Sequence, residues 1–265
     1  MEWLQQSIPV FMLVFCRITS FFVIAPVFTS RGIPTSFKIG FSFLLTVIVY
    51  LTFGIGETVP QDLSYALLIV QEVLVGLLLG FTAYLIMAVV QTAGALIDIQ
   101  IGFSMANVID PFTGASMPLI GNFKYYLALL VFLGMNGHHY LLDAIMYSYD
   151  WVPITGNVSS KILDGSVTDI LVRTFAHSFV LALQMAAPLV AALFLTDVGL
   201  GFLARTAPQF NVFVIGIILK ILVGLVLLML LMPGLVSLFD HLFAQMFEAL
   251  RQLLGVLHEG TAQGG

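Results

Sequence analysis

The sequence predicts an all-α, polytopic membrane protein, and three observations carry that prediction. Hydrophobic residues make up 60% of the 265-residue chain and charged residues only 9%, against about a quarter charged in soluble domains. The apolar residues gather into runs of about 20, the length a helix needs to span a hydrocarbon core of about 30 Å. Between the runs lie Pro, Gly and polar clusters, the local signals that interrupt helices.

The same composition excludes several function classes. A formal charge of −5, scattered and without a basic run, gives nucleic acid nothing to bind. Cys16 is the single cysteine, so neither a disulfide framework nor a thiolate metal cluster can form, and its apolar surroundings suit a small core hydrophobe. No Ser-His or H-E-x-x-H arrangement points to a hydrolase. His138 and His139 are adjacent and point in different directions on a helix, which makes them a poor metal pair. No metal, cofactor or enzymatic activity is expected.

The first apolar stretch, residues 8–28, is longer than a signal-peptide core and follows Glu2 rather than a basic residue, so it reads as a retained helix. Arg17 lies in its middle and requires either an ion pair with another helix or a wet conduit. The connection at residues 29–38 carries Arg31 and Lys38 and is a candidate cytoplasmic loop. A second helix over residues 39–53 ends at Gly54-Ile55-Gly56.

The third segment, residues 64–100, exceeds what one bilayer crossing needs. Glu72, Gly76 and Gly80 fall four apart on one face, and the two glycines form a G-x-x-x-G pair that lets helices approach closely. Close packing is the expectation for Gly76 and Gly80. Near its end the segment turns polar, and Asp98 is read as facing water or, with Arg17, Glu72 and Lys220, as a buried charge between packed subunits.

The long break that follows, Ile101 to Phe123, departs most from the pattern. Asp110-Pro111, Thr113-Gly114 and Pro118 forbid a continuous helix. Yet Ile101, Phe103, Met105, Val108, Ile109, Phe112 and Met117 load the break with large apolar side chains, which a loop in water would not carry. At membrane depth, irregular backbone is tolerated only where protein buries it or where it lines a cavity. Two readings therefore stand, a pore or gate element and a re-entrant turn that joins two helices.

Beyond the break, residues 121–133 form an apolar helix in which Phe123, Tyr125 and Tyr126 beside Lys124 resemble an interfacial belt. Residues 150–165 make an ordinary polar loop. A helix over residues 167–195 contains Pro188, and another over residues 212–232 is interrupted by Lys220 and ends before Pro233-Gly234. Residues 237–257 read as a separate amphipathic helix on membrane or partner; residues 258–265 are expected to fray.

Four segments in order, FCRITSFFVIAPVF (15–28), QEVLVGLLLGF (71–81), GALIDIQIGFSMANVIDP (94–111) and LARTAPQFNVFVIGIILK (203–220), resemble the FliR/SctT family of type III export-gate subunits. The likeness covers nearly the whole chain. It implies a noncatalytic, multi-pass subunit of the bacterial inner membrane in the flagellar basal body. Such a subunit assembles with FliP and FliQ, works with FlhA and FlhB, and passes exported flagellar proteins as substrates. The resemblance also implies a FliP-like portion (1–165) followed by a FliQ-like portion with the C-terminal helix (166–257), in a gate standing largely above the bilayer plane. Carried over by position, a plug loop falls at residues 104–118, with Met105, Val108, Ile109, Asp110, Pro111, Phe112 and Met117 closing the pore. The alternatives are an injectisome SctT-type subunit and a small-solute transporter, although neither inverted repeats nor a coherent constellation of charges favours transport.

Overall fold

The computed structural model describes residues 2–30, 32–57, 59–60, 62–103, 118–154, 156, 158, 162–209 and 211–262. Among them the chain is helical, with α1 (Glu2–Ile24), α2 (Thr35–Val49) extended by a π-helical turn (Tyr50–Gly54), α3 (Leu63–Ile101), α4 (Leu119–Gly134), α5 (Gly137–Trp151), α6 (Ser166–Thr206) and α7 (Val212–Ala262). Five of these, α1, α2 with its π turn, α3, α6 and α7, are long and apolar enough to cross a membrane, and α4 with α5 supplies a sixth if that bent pair is one span. The expected polytopic helical fold is the one observed.

Several helix limits differ from the sequence expectation, each for a local reason. α1 stops at Ile24 rather than near Phe28, because Pro26 brings no N–H and Val27 adopts a left-handed φ of 74°. Thr29 closes this end, its hydroxyl donating to the carbonyls of Ala25 at 2.9 Å and Val23 at 3.2 Å. α6 runs on to Thr206, absorbing residues expected to connect two helices. Pro233-Gly234 does not end α7, which continues unbroken to Ala262, so there is no separate C-terminal amphipathic helix. An interior Pro removes one hydrogen bond and crowds the preceding turn, and membrane helices tolerate that. Pro188 sits inside α6 in the same way.

Packing divides the described residues into two compact units. One comprises Met1–Ile86, Asn136–Phe175 and Phe243–Gly265; the other comprises Met87–Met135 and Ala176–Leu242. Each draws on both sides of residue 165. In the first unit α1 and α2 form a hairpin fastened by aromatic contacts, with Phe22 against Phe41 at 5.4 Å and Phe11 against Tyr50 at 6.0 Å between ring centroids. Such edge and tilted pairs add to the burial of their large apolar surfaces. Its core gathers Leu13, Val14 and Ile18 of α1, Val75 and Leu79 of α3, and Leu141 and Ile145 of α5. The core of the second unit gathers Val90 and Ile97 of α3, Phe132 of α4, Leu193 of α6 and Phe239 of α7.

Candidate functional site

Two constellations of polar groups stand inside these apolar cores, one in each unit. In the first, Arg17 is fully buried and Glu72 is 1% exposed. Arg17 Nε donates to Glu72 Oε2 at 2.6 Å and Nη2 to Oε1 at 2.7 Å, a bidentate pair between α1 and α3. Nη1 donates to the Ser148 hydroxyl at 3.1 Å and carbonyl at 3.2 Å, and Nη2 to the Val152 carbonyl at 2.9 Å. The guanidinium lies 4.1 Å from the centroid of the Tyr149 ring. The planar fork of Arg suits this arrangement, because each N–H can meet an acceptor without distortion. Of the two readings of Arg17, the ion pair with another helix is realised, and the pairing lies inside the chain.

Glu72 shares its helix face with the glycines as expected. A Cβ on Gly76 would collide with the Arg17 carbonyl and the Ser20 hydroxyl, and one on Gly80 would fall 2.9 Å from the Phe21 carbonyl oxygen. The G-x-x-x-G pair therefore lets α3 meet the backbone of α1 directly. Ion pair and glycine groove act on one seam. The sequence did not single out Ser148, Tyr149 or the Val152 carbonyl, which join the cluster from α5 and its end.

The second constellation frames the break. Asp98 is 3% exposed and does not face water. Its Oδ1 accepts from the Ile120 amide at 3.0 Å and its Oδ2 from the Gly121 amide at 3.1 Å, capping the N-terminus of α4. The Asp98 carbonyl meanwhile accepts from the amides of Gly102 at 3.1 Å and Phe103 at 3.0 Å, closing the end of α3. Gly102 holds a φ of +103°, a conformation that favours glycine. One aspartate thus fastens the residues entering and leaving the 104–117 segment. Its negative charge also suits a helix N-terminus, where unpaired amides carry partial positive charge.

Further contacts hold the same roots. Gly94 of α3 touches Gly121 of α4 so closely that a Cβ on Gly94 would lie 2.6 Å from the Gly121 nitrogen. Gln100 Nε2 donates to Asp197 Oδ2 at 2.9 Å, and Lys220 Nζ reaches Asp197 Oδ1 at 3.0 Å, joining α3, α6 and α7. Lys220 thus has a partner within the chain, which the sequence reading left unnamed. Met105, Val108, Ile109, Asp110, Pro111, Phe112 and Met117 lie outside the described residues. His138 and His139 place their rings 4.2 Å apart, and among the described residues no group of three or more His, Cys, Asp or Glu side chains is disposed to hold a metal.

Comparison with known proteins gives this arrangement its context. Residues 8–246 match the family described as bacterial export proteins, family 1. The chain is 45% identical to the flagellar biosynthetic protein FliR of Bacillus subtilis over 94% of its own length and 96% of that protein. It is 33% identical to FliR of Escherichia coli over 91% of each chain. It is also 29% identical to the surface presentation of antigens protein SpaR of Shigella flexneri, over 83% of this chain and 85% of that one. With a family model spanning most of its residues and relatives matched nearly end to end, the chain belongs to the FliR family of type III export-gate subunits.

Proposed function

We propose that this multi-pass export-gate subunit assembles with FliP and FliQ in the bacterial inner membrane. There it forms the channel for unfolded flagellar proteins, alongside FlhA and FlhB, and the 104–118 segment plugs the closed pore. The observation that carries the plug is the Asp98 clamp, in which one residue binds the chain on both sides of residues 104–117, its carboxylate holding the Ile120 and Gly121 amides and its backbone carbonyl those of Gly102 and Phe103. A seal needs flanking helices that stay fixed while it opens, and the Asp98 contacts hold the helices on both sides. The segment's apolar residues supply the other requirement. A nonpolar constriction excludes water and ions by dewetting and yields to an entering chain without breaking strong bonds. Export here is mechanical: the chain contributes a wall and a seal and leaves no covalent step to catalyse.

The 45% identity to the Bacillus subtilis FliR, over nearly the whole of both chains, supports the flagellar system. Copurification tests the assembly. Extracted gently from its own membrane, the tagged chain should bring FliP and FliQ with it in fixed ratio. A chain recovered by itself, able to bind or move a small solute once reconstituted, would replace the gate with a transporter.

A further inference from the structure

Lys124 belongs to neither constellation. It sits on the second turn of α4 with 3% of its surface exposed, and among the described residues it has no carboxylate partner and donates no hydrogen bond. Its side chain instead lines a cavity of about 130 Å³ walled by Pro188, Leu189, Leu228, Leu231 and Leu235. An ammonium walled by leucine is unfavourable, since no counter-charge among the described residues replaces the water it has lost. The site is complete only with an anion. Its size restricts which one: the cavity accepts about four water-sized groups. That admits a carboxylate on one or two methylenes.

The walls say where such a carboxylate would come from. Beside the cavity, α7 leaves Met229 73% and Leu230 70% exposed, and only 11% of the most apolar stretch of α7 is buried within the chain. A helix packed along that face would cover the leucines and could extend one acidic side chain into the opening. We propose that Lys124 and this cavity form a socket for an Asp or Glu side chain on a neighbouring subunit of the export apparatus, an inference that rests on the multi-subunit reading above. Buried ion pairs of this kind fix which partner binds and in which register, because a wrong partner leaves the charge unpaired.

Photo-crosslinking in cells making the whole apparatus tests the socket. A benzophenone side chain at Leu238, on the cavity wall, should form an adduct with another export subunit, mapping within one helical turn of an Asp or Glu. Changing that acid to Lys should lower recovery of the complex at least tenfold, and adding Lys124→Glu should restore at least half of it. Lys124→Met should also lower recovery about tenfold. If Lys124→Met reduces the amount of chain itself, the adduct formed with Lys124 intact decides the matter. Adducts with lipid only, a mapped site without an acidic residue, or full recovery of Lys124→Met would each overturn the proposal. Lipid-only adducts in a chain that still copurifies with FliP and FliQ would sink the socket and leave the gate standing. Loss of copurification from the unmodified chain would sink the gate reading itself.

Discussion

Five hydrogen bonds leave the Arg17 guanidinium, two to Glu72, two to Ser148 and one to Val152. Burial of either charge alone would be prohibitive, so each makes the other tolerable. Arg17→Leu should therefore destabilise the assembled protein by about 3–5 kcal/mol, the usual cost of stranding one member of a buried pair. Arg17→Leu with Glu72→Leu should regain more than half of that, because two apolar side chains strand nothing. Thermal unfolding of the complex in detergent measures these variants and Glu72→Leu alone; a double variant that loses the sum of the two single losses would show that the pair is not coupled. Asp98 makes a different kind of prediction. Asp98→Ala removes the cap of α4, worth about 0.5–2 kcal/mol, too little to prevent assembly but enough to loosen the roots of the proposed plug. Ion leak through the resting gate should rise in Asp98→Ala and rise less in Asp98→Asn, which retains one side-chain acceptor. A leak no greater in Ala than in Asn would detach Asp98 from sealing.

At the scale of helices, the seam between α1 and α3 is set by Gly76 and Gly80, where side chains would collide with the opposite backbone. Replacing both with Leu should separate the two helices and sharply lower both the amount of chain in the membrane and the yield of complex. Immunoblots of membranes and of purified complex distinguish the levels, and unchanged amounts of both would refute the packing role. This seam was legible in the sequence, since small residues four apart beside an acidic one form a local pattern. The Gly94–Gly121 contact was not, because its two glycines lie on different helices and no spacing rule joins them. Asp98 was hidden similarly: its acceptors serve amides 22 and 23 residues away, whereas the local pattern suggested a polar helix end facing water. Pro233 misled in the opposite direction. The rule that proline ends a helix is local and calibrated on water-exposed chains, while α7 keeps its helix through Pro233 at the loss of one hydrogen bond.

For the molecule as a whole, the polytopic helical character followed from composition, and membership in the export family followed from four ordered segments. The division into two compact units did not, because α3, α6 and α7 each contribute to both and no break in sequence marks the change. Much of α6 and α7 remains apolar and uncovered, with Phe194 60% and Leu195 68% exposed, surface suited to lipid or to neighbouring subunits. What joins residue, helix and assembly is the segment at 104–118, held at its base by Asp98 and proposed to close the pore. Deleting part of it, with complex recovery and ion leak measured in the same cells, addresses that claim most directly. A plug closes a hole without building the wall, so the expected result is normal recovery with increased leak, reproduced more mildly by Phe112→Ser and hardly at all by Phe112→Leu. Normal recovery with no leak would contradict the plug, and poor recovery with no leak in the surviving complexes would make the segment a structural connector.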